Sequence, residues 1–250
     1  MRNIWIIARR EYRLYFVTPA AYMVAFMILL VLGLIFYSNI VAALNPQYGM
    51  QGAPGVDIIY SPLVLLLLFG VPAITMRLLA EEQRSGTIEL LLTAPLRDYE
   101  LVVGKWLGGF LLMLTLLVIT WIYPVVLNKL VDPGIDQGPL VSGYLGLVLL
   151  CAAFVAVGVA VSSLFSNQIA AFFATLGIFM GLWLIGLPAQ AMGSTGSFGA
   201  QLLAYLDFGD HFYNTFYRGV IDLRDIIYYL SLTALALFLG SVSVETRRWR

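Results

Sequence analysis

Residues 81–105 read EEQRSGTIELLLTAPLRDYELVVGK, and they decide the fold by contrast with their surroundings. The stretch holds eight charged residues, Glu81, Glu82, Arg84, Glu89, Arg97, Asp98, Glu100 and Lys105, with Arg77 just ahead of it. The whole chain of 250 residues has only 14 Lys and Arg and 14 Asp and Glu. On either side lie apolar runs of about 20 residues, the length of helix that crosses the hydrocarbon core of a bilayer. A polar island between two such runs sits at a membrane surface, exposed to whatever binds there.

Composition leads to the same class. The chain is 61% apolar and 11% charged, with a mean hydropathy of +0.90, whereas a soluble domain is roughly one quarter charged. The expectation is an all-α polytopic membrane protein. The formal net charge is zero, which leaves nucleic acid without support as a partner. The single cysteine, Cys151, rules out an intrachain disulfide and a thiolate metal cluster.

Working outward, residues 1–18 (MRNIWIIARREYRLYFVT) place Arg2, Arg9, Arg10 and Arg13 on one side of a helical wheel. Ile4, Ile7, Ala8, Tyr12, Leu14 and Tyr15 fall on the other, with Glu11 and Ile6 off the pattern. This reads as an interface helix with its arginines toward lipid phosphates, able also to touch a cytoplasmic partner. The apolar run that follows is too long for a signal-peptide core and lacks a small-residue cleavage site, so no cleavable signal is expected.

Six spans are expected, at about 19–43, 58–80, 102–127, 140–164, 169–192 and 226–244. Pro72 should kink the second, and Pro188 weakens the far end of the fifth. Ser162-Ser163 with Ser166, Asn167 and Gln168 marks the turn between the fourth and fifth. In that region Gly146, Gly158, Gly177, Gly181 and Gly186 permit close helix contact, Gly177 and Gly181 at GxxxG spacing. Residues 81–101 form a loop on one side. Residues 193–224 begin Gly/Ser-rich and continue with Leu and aromatic residues, as short helices dipping into the opposite surface would.

An even number of spans puts both termini on one side. Eleven Lys and Arg lie on that side with the island, against Lys129, Arg218 and Arg224 on the other, while the acidic residues divide evenly. The positive-inside rule then makes the termini and the island cytoplasmic.

The chemistry missing from the chain is as informative. There is no GxxxxGK[ST], and Gly104-Lys105 is followed by Trp106, so no phosphate-binding loop is present. The sole histidine, His211, lies near Asp207 and Asp210 with too few ligands for a metal. Ser197, in the Gly/Ser run 193–199, has no histidine in any span to serve as its base, which argues against an intramembrane hydrolase. No Asp, Glu, Lys or His lies mid-span, where a charge costs roughly 2.5–3.5 kcal/mol and is kept for function. Ion-coupled transport is therefore disfavoured, and any transport must be driven from outside this chain.

Inside the island, Ser85 or Thr87 can cap a short helix over 88–93, with Gly86 before it and Pro95 ending it. Such a helix is too short to stand alone in water and needs a groove, in lipid or in protein. Charges of both signs and sharp Gly and Pro boundaries suit a knob inserted into a protein.

The loop pattern E-x-x-x-G-T-x-E-x-L-x-x-x-P followed by E-x-x-x-G-K is met by Glu82, Gly86, Thr87, Glu89, Leu91 or Leu92, Pro95, Glu100, Gly104 and Lys105. It resembles the ABC-2 type permeases, the membrane subunits of ATP-binding-cassette exporters. The resemblance extends to the amino-terminal helix with Arg9, Arg10 and Arg13, to the six spans, and to FYRGVIDLRD at 216–225. That last segment is most similar to the gliding-motility and copper-enzyme-maturation branch. The resemblance implies a single 1–250 transmembrane domain of the type V exporter kind, without an ATPase site or cofactor of its own. ATP and Mg would be bound by two copies of a separate ABC ATPase subunit, gripped by a coupling helix in the 81–101 loop. A second permease copy would complete a homodimer in the inner or cytoplasmic membrane, among membrane lipids and open to an outer-side accessory protein. The 193–224 segment would be a re-entrant hairpin, with Phe216, Arg218, Gly219 and Asp222 at an outer gate. The competing reading is a non-transporting scaffold that recruits a cytosolic protein through 81–105.

Overall fold

The computed structural model describes residues 2–44, 54–87, 97–187 and 198–248, and every regular element among them is helical. In chain order these are α1 (Arg2–Val17), α2 (Pro19–Leu44), α3 (Asp57–Thr75), α4 (Ala80–Arg84), α5 (Asp98–Thr120) and α6 (Ile122–Leu130). Then come α7 (Gln137–Leu164), α8 (Gln168–Leu184), α9 (Phe198–Leu206), α10 (Phe208–Tyr213), a 3-10 turn (Phe216–Arg218) and α11 (Leu223–Arg248). Several starts are set by side chains that accept an otherwise orphaned backbone N–H. Asp136 does this for Gly138 at α7, Asn167 for Ile169 at α8, and Asp207 for Gly209 at α10.

Five helical stretches are long and apolar enough to cross a membrane: Pro19–Ala43, Asp57–Arg84, Asp98–Leu130, Gln137–Leu164 and Leu223–Thr246. The fifth expected span, 169–192, corresponds to α8, which has 17 residues and is about 26 Å long at 1.5 Å per residue. The far end of that expected span, including Pro188, lies outside the described residues, as does most of the Gly/Ser run. Asp98–Leu130, at 33 residues, exceeds the roughly 20 that the hydrocarbon core requires. Its charged residues lie toward its two ends, Asp98, Glu100 and Lys105 near the start and Lys129 near the finish.

The hub is α7, with 78% of its apolar window buried, while α2 at 17% is peripheral. Helices α3, α5, α8, α11 and the 3-10 turn all pack on α7. Small residues make this possible. A Cβ at Gly143 would collide with the Tyr60 ring, one at Gly158 with Thr75, and one at Gly146 would lie 2.7 Å from Phe216. Gly186 likewise leaves room for the Asp207 carboxylate, whereas Gly177 and Gly181 face open space. Of the glycines expected to allow close contact, the GxxxG pair is the one that meets no neighbour.

The break between α3 and α4 falls at residues 76–79, a few residues beyond Pro72. Ser162, buried near the end of α7, closes it. Its Oγ accepts the N–H groups of Leu79 at 3.1 Å and Ala80 at 3.0 Å and donates to the Met76 carbonyl at 3.1 Å. One hydroxyl thus uses its donor and both lone pairs on a single turn. Ser162 lies within the last turn of α7, and the connection to α8 is made by residues 165–167.

Candidate functional site

The N-terminal helix α1 runs along α5. Asn3 reaches Glu100, Ile7 lies over Gly104, Glu11 over Gly108, and Tyr12 bonds Thr115. A Cβ on Gly104 would lie 2.7 Å from Ile7 Cβ, and one on Gly108 2.6 Å from Glu11 Cβ and 3.1 Å from the Ala8 carbonyl oxygen. Glycines four apart lie on one helix face, and here that face lets α1 approach at backbone distance. The buried side of α1 is Ile7, Ala8, Glu11 and Tyr15, while Trp5, Ile6, Leu14, Phe16 and Val17 are exposed. This corrects the wheel reading: Leu14 is not on the buried side, and Glu11 is, because that face meets α5 rather than lipid.

Lys105, 1% exposed, explains the buried acid. Its Nζ lies 2.8 Å from Glu82 Oε1 and 3.2 Å from Glu11 Oε1. Arg10 Nη2 approaches the same two oxygens, at 3.4 Å and 3.0 Å. Two cations and two carboxylates from α1, α4 and α5 thus form one neutral cluster. A lysine buried this deeply needs such pairing, because an uncompensated buried charge costs several kcal/mol. Around the cluster opens a cleft of about 450 Å³ that also takes in Tyr15, Arg77 and Gln168. Arg77 donates to Thr18 at 2.8 Å and sits over the Tyr15 ring. Burial pushes the Tyr15 hydroxyl well above the usual tyrosine range, helped by the Glu11 charge.

The other island residues in view support this junction. Glu100 accepts from Asn3 Nδ2 at 3.1 Å and from the Arg97 backbone N–H at 3.2 Å, which closes the first turn of α5. Gln83 donates to the Ser163 carbonyl at 2.7 Å, fastening α4 to α7. Gly86 has φ +71° with nothing within 4 Å of where a Cβ would sit. What requires glycine there is the left-handed backbone that ends α4, not a close approach. Ser85 Oγ donates to the Glu81 carbonyl and Thr87 Oγ1 to that of Glu82, so in the described residues both bond back onto α4. Glu89, Leu91, Leu92 and Pro95, and the expected 88–93 helix, lie outside the described residues. Arg9 and Arg13 are exposed on α1, away from the cluster that Arg10 joins.

At the opposite end of the bundle, Phe216 is fully buried in the notch above Gly146, and Ser142 Oγ donates to its carbonyl at 2.7 Å. Gly219 has φ +91° and packs on Pro139, Arg218 is exposed, and Asp222 accepts the Arg224 N–H at 2.9 Å. These four lie within seven positions of one another, each with the contacts just given. His211 is held by Asp225, 2.6 Å from Nδ1, and by the Tyr205 carbonyl, 2.9 Å from Nε2, with Tyr228 stacked at 4.0 Å. Its main partner is therefore Asp225, not the neighbouring Asp207 and Asp210. No group of three potential metal ligands occurs among the described residues.

Sequence reasoning gave no site role to Asn3, Glu11 or Ser162, although it named Ser162 as a turn marker. Only Glu11 carried a signal, as the one acid on an arginine-rich helix, out of step with its wheel.

A family model described as "ABC-2 family transporter protein" matches residues 29–244. The chain belongs to the ABC-2 transporter family. Comparison with the curated proteins gives no match. Within this ABC-2 protein the matched residues contain Glu82 and Lys105, while α1, with Arg10 and Glu11, precedes them. It is a multi-pass membrane protein, of a family whose members serve as membrane subunits and are not themselves the catalytic ones.

Proposed function

We propose that this protein is the permease subunit of an ATP-binding-cassette exporter. It couples hydrolysis by a separate ATPase to the export or extrusion of a lipophilic or envelope-related substrate. In this reading two copies form a homodimer in the inner or cytoplasmic membrane, with both termini and the island cytoplasmic, and each copy seats one ATPase subunit that binds ATP and Mg. The observation that carries the reading is the burial of Lys105 between Glu11 and Glu82. It ties α1, the island and the long helix α5 together at the point where the chain leaves for residues 88–96. A load taken up there passes to α5 through charged contacts, and to α7 through Ser162 and the Ser163 carbonyl.

The test is co-purification and transport with the cognate ATPase. Gly86→Pro and Glu89→Arg should leave membrane insertion intact while lowering ATPase association or transport. Normal association together with full transport in both variants would sink the coupling role of 86–95. Retained association in the parent with no ATP-dependent transport or extrusion would favour the scaffold.

A further inference from the structure

On the side of α1 away from the Lys105 cluster, a groove of about 610 Å³ opens between α1 and α5. Its head is Arg9 and Arg13 with Trp5, and its wall is Leu111, Leu114 and Val118 of α5. A second hollow, of about 390 Å³, shares Trp5, Arg9 and Arg13, touches Arg10, and runs along α1 by Ile6 to Leu14 and Val17. The two arginines therefore stand between an apolar groove against α5 and a hollow that pairs the basic side of α1 with Ile6, Leu14 and Val17. Among the described residues neither side chain makes a hydrogen bond or ion pair, and no acidic side chain lines either hollow. This sets them apart from Arg10, whose charge is taken up by Glu11 and Glu82.

We propose that this groove is a binding site for one anionic phospholipid, its phosphodiester on Arg9 and Arg13 and its acyl chains in the groove and the hollow. Charge complementarity selects the headgroup, because two unpaired guanidinium groups present forked donors that match phosphate oxygens. Depth selects a lipid over a free phosphate ion. The Asp98–Leu130 stretch that begins with α5 is longer than the hydrocarbon core requires, which leaves room for its charged start outside that core. Its stretch from Leu111 to Ile119 is uncharged, with Val118 69% and Ile119 46% exposed, so the wall of the groove faces acyl chains. Trp5, 56% exposed, lies at the boundary where indole rings favour the headgroup layer. The floor is closed by Tyr12 and Thr115, 2.8 Å apart. Thr115 Oγ1 spends its proton on the Leu111 carbonyl at 2.9 Å, so Tyr12 is the donor between them. The lipid would thus bridge α1 and α5 on one side as the Lys105 cluster does on the other. The inference rests on the chain being membrane-embedded and is independent of the ATPase reading.

Native mass spectrometry of the intact protein tests it, after reconstitution into vesicles of phosphatidylcholine with a minor fraction of phosphatidylglycerol. The expected result is one retained phosphatidylglycerol per chain, phosphatidylcholine being stripped. The Arg9→Gln/Arg13→Gln variant should retain it about 30-fold less well, from two interfacial cations, while Arg9→Lys/Arg13→Lys, which keeps the charges but not the forked donors, should fall between that variant and the parent. Leu114→Trp, with both arginines intact, should also lose the lipid, and inorganic phosphate should not displace it. Equal retention of the two lipids, unchanged retention in the double Gln variant, or displacement by inorganic phosphate would overturn the site. ATPase co-purification, read in the same preparations, separates this outcome from failure of the transporter reading.

Discussion

Lys105 is the residue on which the polar end turns, because removing it leaves two carboxylates facing each other across the space it occupied. Breaking a buried pair by deleting one partner costs roughly 3–5 kcal/mol. Lys105→Met is expected at the low end of that range, since Arg10 still screens both acids. Adding Glu11→Gln and Glu82→Gln should recover most of the loss, because the charges left without a partner are then gone. Unfolding curves in detergent for the cycle of variants measure the coupling, and additive losses would mean that the three side chains act separately. Lys105 was legible in the sequence as part of a motif. Its partner Glu11 was not, for the bond spans 94 positions and no local pattern links a lysine in one helix to an acid in another. Glu82 was legible as part of the island, but its role of fixing α4 depends on a chain fold that local spacing does not report.

Among the elements, the pairing of α1 with α5 depends on which glycines meet a neighbour. Gly108→Leu should force Glu11 and the Ala8 carbonyl away and detach α1, seen as faster amide exchange along residues 4–15. Gly177→Leu, facing open space, should leave exchange in α8 and the stability of the single chain unchanged within about 0.5 kcal/mol. If both variants behave alike, backbone contact at Gly108 is not what seats α1. GxxxG spacing occurs at both 104/108 and 177/181, so spacing alone could not tell a used glycine face from an unused one. The distinction came from the facing helix, as it did for Gly143, Gly146 and Gly158 on α7. The long apolar helices were readable from hydropathy because each needs only its own residues.

Across the whole molecule the two ends are held differently, one by paired charges and the other by aromatic packing with a few buried polar groups. Asp207 is the titrating member of that second end. Burial pushes its carboxyl above the usual carboxylate range, opposed by the N–H groups of Gly209 and Asp210. A carboxyl that holds its proton more tightly folded than unfolded stabilises the protein below about pH 4, and the contribution is lost as pH rises through the folded value. Asp207→Asn keeps an acceptor for the Gly209 N–H and removes the ionisation. It should flatten this acid-range dependence and protect residues 198–213 more at neutral pH, read by hydrogen exchange as a function of pH. A steeper dependence in the variant would show the carboxylate to be favourable where it lies.

The length of Asp98–Leu130, 33 residues, has a mechanical meaning. Its unbroken part, α5 with 23 residues, is a rod about 35 Å long, and along its first turns α1 is splinted to it by two glycines and a buried lysine. Two helices bound side by side bend less readily than one. A push of a few ångströms at Asp98 would then swing the rod by a few degrees instead of being absorbed near its base. The movement would be felt at Trp121, where α5 gives way to α6, making the polar end the short arm of a lever whose long arm lies in the bilayer.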